Sequence, residues 1–188
     1  MLLKNITEQF VRYMKRMHGQ ADPYYLKILI IGHTGSGKTV LMRKLAHYLG
    51  MIYRQVAIDY HQGIEKALLM NKTIRVDELQ LLADARRSGS KPNIDFTHEL
   101  SISRSELKSN VVSATQLVSQ AEKRVKALAD VIIIKRIALN QVKEIAELLE
   151  NYFSAPQATD LSKFCLHLYQ NEGLMITPQF YGILKNTE

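Results

Sequence analysis

One stretch constrains this chain more than any other: Gly32-His33-Thr34-Gly35-Ser36-Gly37-Lys38-Thr39, set between the apolar run Tyr24–Ile31 and a segment whose Leu41, Leu45 and Leu49 share one helical face. Three glycines let backbone N–H groups curl around phosphate oxygens without Cβ clashes, and the helix behind them adds the positive end of its dipole. Lys38 places an ammonium on the β- and γ-phosphates, and Thr39 offers a hydroxyl to Mg2+. A glycine-rich turn can match such a pattern by chance. A strand in front and a helix behind make it a phosphate loop, and both are present.

Around that loop the hydrophobic period switches repeatedly. Leu3, Ile6, Phe10, Met14 and Met17 predict an amphipathic helix over 3–18, ended by Gly19 and the Asp22-Pro23 turn. After the strand at 24–31 and a helix over 37–49, a second strand is expected at 51–58, a helix at 61–70 and a short strand at 73–76. A helix over 79–85 leads into the loop Arg86-Arg87-Ser88-Gly89-Ser90-Lys91-Pro92-Asn93, followed by a helix at 96–107. A fourth strand (110–115), a helix (118–129) and a fifth strand (130–137) complete the alternation. Strands alternating with helices imply a parallel sheet covered on both faces. Beyond it, Val142, Ile145, Leu148, Leu149 and Tyr152 mark a helix, and Asp160–Tyr169 another; Ile176, Pro178 and Phe180 fit neither period. Three parts are therefore expected: an N-terminal amphipathic helix (1–22), a core (23–139) and a helical C-terminal extension packed on the core (140–188).

Composition excludes more than it selects. Hydrophobic residues make up 46% and charged residues 23%, ordinary for a soluble globular protein. The longest apolar runs, Leu26–Gly32 and Val131–Ile134, are too short to cross a bilayer, and Met1–Asn5 lacks a signal-peptide core, so a cytoplasmic protein without membrane association is expected. The single Cys165 sits on a helical pattern with Leu161, Phe164 and Leu168 and reads as a small core residue. Six histidines show no ligand spacing; His33, at a variable position of the phosphate loop, is expected to touch solvent or nucleotide only incidentally. A net charge of +7 suits a polyanionic partner such as DNA, and equally suits solubility alone.

Two further groups carry chemistry. In Val76-Asp77-Glu78, at the end of a predicted strand, an aspartate can hold Mg2+ opposite Thr39 and a glutamate one residue later can orient or deprotonate a water. Most Asp-Glu pairs are solvated surface charges, and this strand carries Lys72, Thr73 and Arg75; the phosphate loop is what favours the functional reading. In Val111-Val112-Ser113-Ala114-Thr115-Gln116, a buried strand ends in an amide that can donate and accept at once, a sensor for a phosphate oxygen and a water if its strand lies between those of the loop and of Asp77.

Together these residues resemble the FtsK–HerA superfamily of P-loop motors: DNA translocases, viral genome-packaging ATPases and Zot-like ATPases. The resemblance rests on Gly32–Thr39, Asp77-Glu78, Ser103-Arg104, Val111–Gln116, Glu122-Lys123-Arg124 and Leu128-Ala129-Asp130-Val131-Ile132, and spans roughly residues 25–137. It implies an α/β, RecA/ASCE-like P-loop NTPase fold, a mostly parallel five-stranded sheet flanked by helices, with the fourth strand separating the first from the third. It implies ATP and Mg2+ as ligands, Lys38, Glu78 and Gln116 as catalytic residues, and a homo-oligomeric ring in which an arginine reaches the neighbouring subunit's nucleotide. Arg104 matches the family's arginine position best, with Arg124 the rival; either could instead pair with a glutamate such as Glu106 or Glu122. The short chain, without an accessory DNA-binding domain or membrane anchor, favours a minimal packaging-type motor of a virus or mobile element, its ring forming on DNA or on a portal or capsid partner. Arg86, Arg87 and Lys91, in a flexible Gly/Ser loop, are the candidate DNA contacts, with a solvated loop as the plain alternative. Two other readings stand beside the motor: an ATP-dependent assembly or regulatory switch without translocation, and a small nucleotide kinase, in which the Gln116 segment has no role.

Overall fold

The computed structural model describes residues 3–82, 89–119 and 123–185. In chain order the elements are α1 (Thr7–His18), β1 (Lys27–Ile31), α2 (Lys38–Tyr53), β2 (Val56–Asp59), α3 (Lys66–Leu69), β3 (Lys72–Val76), α4 (Lys91–Ile102), β4 (Asn110–Thr115), α5 (Lys123–Leu128), β5 (Val131–Ile134), α6 (Val142–Leu149), α7 (Ala155–Phe164), β6 (Glu172–Ile176) and β7 (Tyr181–Lys185). The strands form one sheet in the order β2-β3-β4-β1-β5-β6-β7. The first five are parallel, while β6 runs antiparallel to β5 and β7 antiparallel to β6.

β1 is buried along its whole length because both faces of the sheet are covered. Its alternation splits the core: Leu29 and Ile31 face Phe96, Leu100, Ile145, Leu149 and Leu161 from α4, α6 and α7. Ile28 and Ile30 face Phe10 and Met14 of α1 and Leu41, Leu45 and Leu49 of α2. A parallel sheet feeding right-handed crossovers produces these two layers. The N-terminal segment is tied in as well, the Ile6 N–H donating to the Ile183 carbonyl at 2.9 Å and the Ile183 N–H to the Lys4 carbonyl at 2.8 Å.

Several boundaries move from their expected places. α2 continues to Tyr53, and β2 begins only at Val56. Leu41, Leu45, Leu49 and Tyr53 recur every four residues and are all buried, so the helical stripe outlasts the Met51-Ile52 run that reads as strand. Arg54 then ends the helix in the left-handed conformation, its N–H donating to the Gly50 carbonyl. The helix expected over 61–70 shrinks to Lys66–Leu69, and that expected at 96–107 begins at Lys91, with Pro92 in its first turn, and stops at Ile102.

The larger correction lies at the C-terminus. The sheet has seven strands rather than five, because β6 and β7 form a hairpin in the part of the expected helical extension whose Ile176, Pro178 and Phe180 fit neither period. Gly173 and Gly182 dilute the apolar pattern there. At Gly173 a Cβ would come within 2.9 Å of Ile133 Cγ2, so only glycine lets β6 approach β5. Around them Leu174, Ile176 and Ile183 enter one core and Met175 and Leu184 the other.

Candidate active site

In the sheet order, β4 lies between β3 and β1, all three parallel, so the segments that follow them emerge at one edge. There the phosphate loop after β1, Asp77-Glu78 after β3 and Gln116 after β4 enclose a cleft of about 310 Å3. Ligands of open α/β sheets bind in this crevice outside the carboxyl ends of the strands.

The loop turns on Gly35 and Gly37, at φ of 77° and 85°, where a side chain would be strained. The Lys38 ammonium donates to the loop's own His33 carbonyl at 2.9 Å. Its pKa is lowered, chiefly by burial, while Asp77 and Glu78 across the cleft act in the opposite direction. A desolvated cation among backbone donors is prepared for an anion that restores the lost solvation.

Thr39 Oγ1 donates to Asp77 Oδ2 at 2.9 Å, although 38 residues separate them. This pair offers a hydroxyl and a carboxylate oxygen at one point, the hard-oxygen set that Mg2+ takes alongside phosphate oxygens and waters. The residues therefore fit the cation. Glu78 follows in the left-handed conformation at φ 53°, its N–H donating to Asp77 Oδ1 at 3.1 Å. A non-glycine residue held there is strained, and the turn re-aims the glutamate away from the line of β3.

Gln116 meets the loop directly, its Oε1 accepting from Thr34 Oγ1 at 3.2 Å. Its own carbonyl accepts from Gln141 Nε2 at 2.7 Å, and Gln141 Oε1 accepts the Ala138 N–H, so a buried amide from the approach to α6 fixes the end of β4.

The remaining expected residues are distributed differently. His33 is not incidental: Arg136, just past β5, donates from Nε to His33 Nε2 at 3.0 Å and accepts the His33 N–H on its carbonyl. Arg104 lies near the opposite edge of the sheet, among residues that precede β1 and β5. Its Nη2 contacts both oxygens of Asp130, at 2.7 and 2.9 Å, its Nε donates to the Tyr25 carbonyl at 3.3 Å, and its guanidinium carbon lies 3.6 Å from the Tyr24 ring centre. Asp130 also accepts the Lys27 N–H and the Tyr24 hydroxyl, each at 2.8 Å. Burial and that last bond push the Tyr24 hydroxyl up to about 12. Arg104 thus pairs with Asp130, whereas Glu106 pairs with Lys66; Glu122 lies outside the described residues. Arg124 stands exposed on α5. Lys91 is exposed at the start of α4, and Arg86 and Arg87 fall outside the described residues. Cys165 is buried, its thiol pushed up to about 12 by burial, and is chemically quiet. Among the described residues no helix is long and apolar enough to cross a membrane.

Gln170, which lines the cleft, and Lys135, Arg136 and Gln141, which bond to residues in or beside it, were not singled out from the sequence. Lys135-Arg136 at the end of an apolar strand was the one visible signal. Gln170, far off in sequence, carried none.

No protein-family model matches the sequence, and no curated protein does. Solved structures do match. The genome-packaging NTPase B204 of Sulfolobus turreted icosahedral virus 2, in complex with ATP-gammaS, superposes with a TM-score of 0.63 at 15% identity, over 86% of this chain and 97% of that one. The DNA-packaging ATPase B204 of Sulfolobus turreted icosahedral virus gives 0.60 at 17% identity, over 86% and 98%. The fold is that of a P-loop NTPase.

Proposed function

We propose that this chain is a Mg2+-dependent ATPase of the FtsK–HerA type that works as a homo-oligomeric ring and moves DNA, as a genome-packaging motor of a virus or mobile element acting in the cytoplasm. The observation that carries the reading is the convergence of Lys38, Thr39, Asp77, Glu78 and Gln116 on one cleft from three parallel strands. Backbone N–H groups of residues 32–39 cradle the phosphates, and Lys38 opposes the charge that grows on the β- and γ-phosphoryl oxygens. Thr39 and Asp77 hold Mg2+, which when bound neutralises those oxygens. Glu78 accepts the proton of the attacking water, and Gln116, steadied by Gln141, orients that water in line with the leaving oxygen. The DNA partner is supported by the net charge of +7 and by the likeness in fold to B204, a DNA-packaging ATPase. Arg86, Arg87 and Lys91 are the proposed phosphate contacts. Arg104, at the family's arginine position, is the proposed arginine for a neighbouring subunit, with exposed Arg124 the rival; Arg104 is 34% exposed and also pairs with Asp130 in its own chain.

That same engagement favours one alternative, a nucleotide-dependent switch that hydrolyses slowly and does not translocate. ATPase rate measured across protein concentration, with and without double-stranded DNA, separates the two. The motor reading expects specific activity to rise as the ring forms and to rise again with DNA. Turnover indifferent to both would favour the switch.

A further inference from the structure

The groups that act on the phosphates all lie on one side of the loop. Asp77, Glu78 and Gln116 follow β3 and β4, so the γ end of a bound triphosphate points toward those strands. Its other end, carrying the sugar and base, leaves on the side of β5 and β6. One feature there is the corner Tyr169-Gln170-Asn171 at the entry to β6, two strand spacings, or about 10 Å, from β1.

This corner is fastened to the loop. Gln170 Nε2 reaches the Gly35 carbonyl at 3.4 Å, and the Gln170 carbonyl lies so close to Gly37 that a Cβ there would come within 2.9 Å of it. Beneath the corner, fully buried Lys135 donates its ammonium to the same carbonyl at 2.7 Å. On its far side Glu172 both accepts the Tyr169 N–H at 3.3 Å and donates its own N–H to the Tyr169 carbonyl at 3.0 Å. The backbone of Tyr169 is therefore fixed from both directions, one residue from the contact with the phosphate loop. The residue is 72% exposed, and among the described residues no hydrogen bond or ring contact holds its side chain. Val40, on the first turn of α2 and 54% exposed, lines the same cleft as Gln170 and adds apolar surface at its mouth.

We propose that the Tyr169–Gln170 corner is the nucleoside subsite of this cleft, with the Tyr169 ring as a stacking platform for the base. The inference rests on the nucleotide-site reading above and adds a substrate class to it. Stacking is tolerant because every base has a π-face. Recognition by the ring face alone, with no reading of the base edge, makes the site one for nucleoside triphosphates at large, taking GTP about as well as ATP. Lys135 and Gln170 act as positioning residues, holding the platform against the loop.

The test is equilibrium competition binding of ATP, GTP and inorganic triphosphate, with Mg2+, to wild type and to Tyr169→Ala, Tyr169→Phe and Lys38→Ala. Tyr169→Ala should weaken ATP and GTP alike by about tenfold, and leave inorganic triphosphate unchanged. Tyr169→Phe should bind all three as wild type does. Lys38→Ala should weaken all three, triphosphate included, which reports on the phosphate site independently of the base. Unchanged ATP binding in Tyr169→Ala, or an equal loss on inorganic triphosphate, would overturn the platform while leaving the phosphate site standing. A strong preference of wild type for ATP over GTP would overturn the absence of edge reading. Failure of wild type to bind any of the three would overturn both readings together.

Discussion

Replacing Arg104 by Met tests whether this arginine serves its own chain. The substitution keeps an unbranched stem beside Tyr24 and removes the guanidinium. Asp130 then loses two of the four hydrogen bonds it accepts, those at 2.7 and 2.9 Å, and keeps those from Tyr24 and the Lys27 N–H. Its side chain is only 11% exposed, so little water replaces the lost partner. Removing one partner of a fully buried pair costs about 3–5 kcal/mol. Here the arginine is 34% exposed and the carboxylate remains half-satisfied, which brings the expected loss to about 2 kcal/mol. For a chain of this length that corresponds to a fall in Tm of about 4–8 °C. Combining it with Asp130→Asn should give less than the sum of the two single effects, by about 1 kcal/mol. Circular dichroism melts and urea titrations supply these numbers, with ATPase measured well below the lower Tm. The account expects a destabilised variant whose turnover also falls when folded. A Tm unchanged within about 1 °C would refute the pairing with Asp130, and turnover retained by the folded variant would pass the neighbouring subunit's nucleotide to Arg124.

Glu78→Gln keeps the shape of the strained turn but loses the base, so MgATP should still bind while turnover, read by phosphate release, falls by about 10²-fold. Burial pulls the Lys135 ammonium from 10.5 down to about 8, with Glu172 acting in the other direction. Between those two pH values the unfolded chain holds a proton that the native chain has released, so the stability of wild type should rise with pH across that window. A Lys135→Met variant lacks this slope; its advantage over wild type in unfolding free energy should be largest near pH 7 and shrink toward pH 10, and a constant difference would contradict the shift. Replacing Arg86, Arg87 and Lys91 together by Ala should flatten the salt dependence of DNA binding by about one slope unit per lost phosphate contact, with basal ATPase retained; an unaltered slope would make this an ordinary solvated loop.

What could be read in the sequence was what depends on local pattern. The phosphate loop needs a strand, glycines and a helix in succession, all within residues 24–49, and β1 and α2 stand on either side of it. Three of the five parallel strands, β1, β4 and β5, are short runs buried along their whole length, such as Val131–Ile134. The hairpin of β6 and β7 escaped because Gly173 and Gly182 answer to close approach between backbones, which no period records. Lys66–Leu69 was overestimated because Ile64, Leu68 and Leu69 repeat like a helix, though the chain before Lys66 bends instead. At the site, Asp77, Glu78 and Gln116 could be named because each ends a strand. Gln170 and Gln141 could not, since each reaches the cleft from another part of the chain and contributes an amide of no distinctive pattern. The pairing of Arg104 with Asp130 could not be read either, since it is set by the meeting of strand ends in space.

The central claim is that the loop Gly32–Thr39 holds the triphosphate of MgATP, with Lys38 as its principal cation. Isothermal titration of MgATP into wild type and into Lys38→Ala, with the variant's fold checked by circular dichroism, measures this directly. The account predicts saturable binding to wild type and loss of most of that affinity in a variant whose spectrum and melting curve are those of a folded chain. An isotherm for folded Lys38→Ala that superposes on that of wild type would contradict it.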